Sequence, residues 1–163
     1  RDTERVQVDI EENAVTVEAA REIYGVIVDP DTLEVNQDAT CKLRDDTRHH
    51  RLQAYIGTQV RSNGEIVMHV TENLDLRGDI DHEVYCCVKC QTEVGLLGSN
   101  YKEHCIRIDK AVSKSNLLIG EPSRFIDDTP EFRQFICPGC GTLIENEIAM
   151  RGELVLMDIH IEK

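Results

Sequence analysis

Four cysteines are the strongest chemical signal in the sequence, because they form two C-x-x-C pairs. Cys87 pairs with Cys90, and Cys137 pairs with Cys140. A two-residue spacing lets one tight turn present both sulfurs to the same ion, and two such turns complete a tetrahedron of thiolates. The sequence therefore predicts one structural zinc ion per chain, bound by these four residues.

The sequence predicts no function for the three remaining cysteines. Cys86 precedes Cys87, and either could act with Cys90. We favour Cys87, because only it has the two-residue spacing and because neighbouring strand residues point to opposite faces. We expect Cys86, Cys41 and Cys105 to be buried thiols. An odd number of cysteines with C-x-x-C spacing favours a metal in a reducing compartment over disulfides, and we expect a cytoplasmic protein.

The two cysteine turns are called here the first knuckle (residues 87–92) and the second knuckle (residues 137–142). Between Cys90 and Cys137 lie 46 residues. That gap exceeds the usual spacing in zinc ribbons, so we expect a long insertion, either a loop or a small subdomain, between the knuckles.

The two C-x-x-C pairs leave two alternatives to structural zinc. Two knuckles, one of the form C-P-x-C-G, also resemble the iron site of rubredoxin, so a small iron electron carrier is one alternative. The other is a redox-active dithiol, but Gly141 suits a knuckle turn, whereas redox motifs begin a helix at the first cysteine.

No other group of residues predicts catalysis. Four thiolates leave no open position on a metal for water or substrate. The histidines show no spacing suited to a metal site or to a base beside a nucleophile; they are His49, His50, His69, His82, His104 and His160. We therefore predict no catalytic residues and no residues that bind an organic cofactor in this chain.

The composition narrows the class of partner. The 163 residues contain 18 Lys and Arg against 31 Asp and Glu, a net charge of −13. An acidic chain without clustered cations is poorly suited to nucleic acid, and no apolar run approaches the length of a membrane span. We therefore expect no nucleic-acid or membrane partner.

Aromatic residues make up 4% of the chain, so its core must be built from Val, Ile and Leu.

Residues 1–52, called here the N-terminal segment, have the pattern of short helices around one extended piece. Asp2 or Thr3 can cap the first helix, Thr16 the second and Asn36 the third. Short amphipathic elements joined by polar turns bury little by themselves and need a neighbour to pack on. The pattern therefore predicts a helical docking segment.

Residues 53–163 have the pattern of a β-rich domain. The predicted strands are 53–60, 65–70, 83–87, 105–108, 132–136 and 153–161, with a hairpin turn at 62–64. The predicted fold class is α+β, with a short helical segment that docks on a partner followed by a β-rich, zinc-ribbon-like domain.

The second part of the sequence also resembles a known family. Residues 135–143, with Asn-Tyr-Lys at 100–102 and Asp-Ile-His at 158–160, look like the small zinc-containing subunit of the ATP-dependent acetone and acetophenone carboxylases. The resemblance covers residues 83–163. It implies a chain that is not catalytic alone, within an enzyme that forms carbon–carbon bonds.

The N-terminal segment carries a second resemblance. Residues 1–6, 17–27, 38–40 and 43–44 are similar to the extreme C-terminal tail of the B-type large subunits of the hydantoinase and oxoprolinase family. B-type subunits partner ATP-binding A-type subunits, and the ketone carboxylases contain the same pair. The resemblance therefore implies that this segment docks on a large subunit that lacks its own tail.

Together, the two resemblances imply a zinc-binding accessory subunit of a biotin-independent, ATP-dependent ketone carboxylase. The partners would be A-type and B-type large subunits, which would use ATP and their own metal in a hetero-oligomer. The tail-like segment makes the acetophenone type the closer match, converting acetophenone and bicarbonate to benzoylacetate. A zinc-ribbon adaptor outside any enzyme is an alternative that would show the same cysteines.

Overall fold

The computed structural model describes residues 1–53, 55, 57–79, 82–115 and 119–161. Within these residues, helices come first and two antiparallel sheets follow. The predicted α+β class, with an N-terminal helical segment before a β-rich part, is confirmed. No helix of the described chain combines the length and the apolar character that crossing a membrane requires.

Three helices form in the N-terminal segment, and side-chain caps set where they begin. They are α1 (Thr3–Glu11), α2 (Val17–Glu22) and α3 (Gln37–Leu52). The carboxylate of Asp2 accepts a hydrogen bond from the backbone N–H of Glu4, which satisfies a free donor at the start of α1. Thr16 and Asn36 cap α2 and α3 in the same way. The three predicted helix starts are confirmed.

The N-terminal segment buries a small core of its own. Its buried members are Val6, Ile10, Ala20, Val26 and Val28. The sequence predicted less burial here. The predicted extended piece makes one isolated bridge, from Val28 to Val35, and its side chains pack with those of α1 and α2.

Seven strands form two antiparallel sheets in the described part of the chain. The first sheet contains β1 (Ile66–His69), β2 (Leu74–Asp79), β3 (His82–Cys87) and β4 (Glu93–Leu96), in that order. The second contains β5 (Ile106–Ala111), β6 (Pro130–Ile136) and β7 (Leu143–Met150), also in chain order. Each strand pairs with its neighbour in sequence, so every connection within a sheet joins adjacent strands.

The predicted strands agree with this arrangement only in part. Strands at 65–70, 83–87, 105–108 and 132–136 are present, with shifted ends. The first strand of the predicted 62–64 hairpin, 53–60, contains Ala54 and Ile56, which lie outside the described residues, and no strand forms in the rest of it. Residues 153–161 form no strand, and β2, β4 and β7 were not predicted.

The main core lies where the two sheets meet. Its buried residues are Leu74, Leu76, Tyr85, Cys87, Val94, Tyr101, Cys137 and Ile144. They come from both sheets and include one cysteine of each knuckle. Since aromatic residues are scarce in this chain, aliphatic side chains and cysteines fill most of the space.

A buried ionic network includes side chains from strands β6 and β7 of the second sheet. Lys102 Nζ lies 3.0 Å from Glu147 Oε2 and 2.9 Å from Asp158 Oδ2. Arg133 Nη1 lies 2.9 Å from the other carboxylate oxygen of Glu147. The side chains of Lys102 and Arg133 are 1% and 0% exposed. Asp158 and Glu147 more than offset the effect of burial, so the pKa of Lys102 is raised.

The same network holds the unpaired C-terminal segment, residues 151–161, on the sheet. Arg133 donates hydrogen bonds to the backbone carbonyl oxygens of Met150, Glu153 and Leu154. The Asn100 amide donates to the carbonyl of Val155 at 3.2 Å. Side-chain donors thus take carbonyl oxygens that a strand would offer to a neighbouring strand, and the strand predicted at 153–161 does not form.

We predict that Glu147→Gln destabilises the fold by about 3 to 5 kcal/mol, because it leaves two buried cations with a single remaining carboxylate. Chemical denaturation of the metal-loaded chain measures this change. Glu131→Gln is the matched control, since the cations that Glu131 contacts, Arg151 at 2.8 Å and Arg107 at 4.0 Å, are 69% and 36% exposed and stay solvated when the carboxylate is lost. Pairs with exposed cations contribute about 1 kcal/mol or less. Equal losses in both variants would contradict the prediction.

Candidate metal centre

The four cysteines predicted as metal ligands lie together in the structure. The Sγ atoms of Cys87, Cys90, Cys137 and Cys140 are all within 4.8 Å of one another. The distance is 3.7 Å from Cys87 to Cys140 and 3.6 Å from Cys90 to Cys137. A tetrahedron of about 2.3 Å metal–sulfur bonds has edges of about 3.8 Å. The arrangement could therefore hold one metal ion.

The first knuckle joins β3 to β4. Cys87 is the last residue of β3, and its backbone N–H donates to the carbonyl of Thr92 at 2.9 Å. The N–H of Gln91 donates back to the carbonyl of Cys87 at 2.8 Å. These two bonds close the turn that places Cys87 and Cys90 side by side. Gln91 has a φ of 62°, a left-handed conformation that glycine adopts more readily.

The second knuckle joins β6 to β7 and repeats the same geometry. Cys137 N–H donates to the Thr142 carbonyl at 2.8 Å, and Gly141 N–H donates to the Cys137 carbonyl at 2.9 Å. Gly141 has a φ of 71°. The two sheets therefore present equivalent hairpins to each other, and the sulfurs of both hairpins face the same point.

Two threonines support the sulfurs, and the sequence analysis missed them. The hydroxyl oxygens of Thr92 and Thr142 lie 3.2 Å from the Sγ atoms of Cys90 and Cys140. Both threonines are buried. When a metal deprotonates the cysteine, the hydroxyl can donate to the thiolate and fix its orientation. The repeated spacing C-x-x-C-x-T was the sequence signal for them.

Crowding shifts the pKa values of the thiols in opposite directions. Contacts with Cys137 and Cys87 lower the pKa of Cys140. Contacts with Cys140 and Cys87, together with burial, raise the pKa of Cys137. Neighbouring thiols thus stabilise one thiolate, whereas ionising all four requires a cation to balance their charge.

The glycines of the second knuckle allow close packing against its surroundings. A Cβ atom on Gly139 would collide with the side chain of Thr92 in the first knuckle. A Cβ atom on Gly141 would lie 2.5 Å from the backbone oxygen of Arg48 in α3. Helix α3 also contacts this knuckle through Arg51, whose Nη1 donates to the Gly141 carbonyl at 3.2 Å. The N-terminal segment therefore packs directly on the metal centre.

The other cysteines lie outside the cluster. Cys86 is buried on the opposite face of β3, and burial raises its pKa to about 11. Cys105 is half-buried, and burial raises its pKa to about 12. Cys41 is exposed, so the expectation of a buried thiol was wrong there. The preceding residue, Thr40, faces the small core of the N-terminal segment instead.

The other candidate residues lie outside this cluster. Among the described residues, the four cysteines form the only His, Cys or carboxylate cluster that could hold a metal ion. His69 Nδ1 lies 2.7 Å from the buried carboxylate of Asp75. Tyr101, Lys102 and Asp158, which belong to the motifs of the family resemblance, meet in the buried ionic network.

One comparison with known proteins identifies a family. A family model described as acetone carboxylase gamma subunit matches residues 60–162. The matched range contains both knuckles and both sheets, whereas the three helices lie outside it. No curated protein matches the chain.

We predict that Cys137→Ser abolishes tight metal binding, because serine supplies no thiolate to complete the tetrahedron. The purified variant should lose most of its metal on dialysis and unfold at a lower temperature, as measured by elemental analysis and thermal denaturation. Cys41→Ser, which changes an exposed cysteine outside the cluster, should keep both properties. Full metal content in Cys137→Ser would contradict the assignment.

We predict that Gly141→Ala destabilises the chain more than Gly98→Ala. Both glycines have positive φ, so each alanine has a conformational cost of about 1 to 2 kcal/mol. Nothing lies within 4 Å of a Cβ at Gly98, whereas Gly141 meets the backbone of Arg48. The additional loss of unfolding free energy in Gly141→Ala measures the packing of α3 on the second knuckle. Equal unfolding free energies in the two variants would show that this packing contributes nothing.

Proposed function

The chain belongs to the acetone carboxylase gamma subunit family, and we propose that it is a non-catalytic accessory subunit of a multi-subunit, ATP-dependent ketone carboxylase. The observation that carries the proposal is the family match over residues 60–162, which contains the complete four-cysteine cluster. In this proposal the chain stabilises the assembly of larger subunits, and those subunits carry out the reaction.

We propose that the metal is a single zinc ion with a structural role. Four thiolates at these distances suit tetrahedral zinc and leave no position for a reacting water. Structural zinc contributes roughly 10 to 16 kcal/mol of apparent free energy to small zinc-binding peptides. Such a contribution suits a domain whose core contains few aromatic side chains. Iron suits the same four sulfurs and would make the protein coloured when oxidised.

Exposed apolar side chains support a role in assembly. Strand β1 lies at the edge of the first sheet and exposes Ile66, Val67 and Met68. Leu154 and Leu156 project from the C-terminal segment, and Leu154 is 92% exposed. Apolar side chains on an edge strand are typical of surfaces that another chain covers. We propose that larger subunits cover these surfaces in a hetero-oligomer.

We further propose that the N-terminal segment is a separate docking unit and that residues 53–163 form the metal-binding domain. The segment has its own small core and exposes Val8 and Ile23. It also packs on the second knuckle through Arg51. In this proposal the segment therefore connects a bound partner to the metal centre. The proposed partners are hydantoinase-type and oxoprolinase-type A and B subunits, with acetophenone as the ketone.

Co-purification of the tagged chain from its native host tests the proposal. We predict one zinc per chain, by elemental analysis, together with two large subunits identified by mass spectrometry as A-type and B-type. If the chain is isolated alone with zinc, it is an adaptor outside this enzyme. If it is isolated alone with iron, it is a small redox protein. Either result would overturn the accessory-subunit proposal.

The docking role of the N-terminal segment is tested with Ile23→Asp in the same experiment. We expect this variant to keep its zinc but to recover less of the large subunits, because a charge replaces exposed apolar surface. Gln37→Glu is the control, since it adds the same charge to an exposed position of the segment. Equal recovery with both variants would show that the segment does not dock through this surface.

A further inference from the structure

A cavity of about 530 Å³ lies between the N-terminal segment and the two knuckles. Six cationic side chains line it, together with a single acidic one, Glu22. The whole chain has a net charge of −13, so this local excess of positive charge runs against the overall composition. An excess of cations in a concave site attracts anions.

The cations come from separate parts of the sequence. Arg44, Arg48 and Arg51 lie on one face of α3, at spacings of four and three residues. Lys89 comes from the first knuckle. The packing of α3 on the knuckles is therefore what brings these charges together.

Three of these cations have no carboxylate partner among the described residues. Arg44 donates hydrogen bonds to the carbonyl oxygens of Arg1 and Tyr24, at 2.9 and 3.1 Å. Arg51 donates to the carbonyl of Gly141. Carbonyl oxygens orient a guanidinium group without neutralising its charge. Lys89 takes part in none of the ion pairs of the described chain.

Positive charges lie close together on this face of α3. Burial and the neighbouring charge of Arg48 lower the pKa of Arg51. The Arg48 side chain itself pairs with Asp45, so it is partly compensated. A bound anion would relieve the repulsion among the remaining cations.

We propose that Arg44, Arg51 and Lys89 bind a small dissolved oxyanion in this cavity, through a phosphate or carboxylate group. The planar guanidinium fork matches two oxygens of such a group, and the lysine adds a point charge. Asn73 also lines the cavity and offers a neutral polar side chain. The volume lies within the range of small-molecule sites. The inference is independent of the reaction that the assembled enzyme performs.

The test is calorimetric titration of the full, metal-loaded chain with sodium phosphate and with sodium acetate, against sodium chloride at equal ionic strength. We expect one of the two oxyanions to bind with saturation at one site per chain. Lys89→Gln should weaken that binding about tenfold, as expected when one charged hydrogen bond is lost. The control is Lys42→Gln, which removes an exposed charge of α3 outside the cavity and should leave the affinity unchanged.

Folding is checked in the same samples by metal content, and Arg51→Gln provides a second cavity variant with the same expected loss. Equal weakening by Lys42→Gln and Lys89→Gln would show attraction by overall charge only, and would overturn the proposal. Absence of saturable binding by either oxyanion would also overturn it. Loss of the large subunits from Lys89→Gln but not from Lys42→Gln, with no saturable binding of either oxyanion, would show that carboxylates of a partner occupy the cations and would overturn the proposal.

Discussion

The structure depends on bringing four thiols from two sheets to a single point. Each sheet supplies one hairpin, and the sulfurs of both hairpins lie within 4.8 Å of one another. Such close thiols cannot all ionise without a cation, because their negative charges would repel one another in a partly buried site. A bound metal ion would balance the negative charge of the thiolates that this packing brings together. The two sheets also share their main core at this point, with Cys87 and Cys137 among its buried residues, so an ion bound by the four thiols would join the two sheets.

A second set of buried charges organises the end of the domain. Lys102, Arg133 and Glu147 are all nearly inaccessible to solvent, and each finds an oppositely charged partner. A buried ion pair is weak evidence for net stability, but loss of one member is costly because the other stays buried and unpaired. Here the network also has a positional role. Arg133 binds three backbone carbonyls near the C-terminal segment, which lets that segment lie on the sheet while Leu154 and Leu156 stay exposed.

The N-terminal segment connects these features to the surface. It packs on the second knuckle through Arg51 and the backbone of Arg48, and this packing also encloses the cationic cavity. Net charge alone indicated a chain unsuited to polyanions, and that conclusion concerns the long-range field. Inside the cavity the local charge is positive, since folding brings together cations that are distant in sequence. For a member of the acetone carboxylase gamma subunit family, the candidate metal centre and the proposed oxyanion site therefore lie at one packed junction.

The sequence by itself determined the features that depend on neighbouring residues. The caps at Asp2, Thr16 and Asn36 set the helix starts because a capping side chain reaches only two or three residues ahead. The two C-x-x-C spacings likewise define two tight turns. Only the tertiary structure decided which strands pair, where Thr92 and Thr142 lie relative to the sulfurs, and that Cys41 faces solvent. Strand β2 was missed because only Leu74 and Leu76 of its six residues are apolar, and the others are charged residues and a glycine. The cationic cavity has no local signal, because its charges meet only when α3 packs on the knuckles, and such contacts depend on residues far apart in the chain.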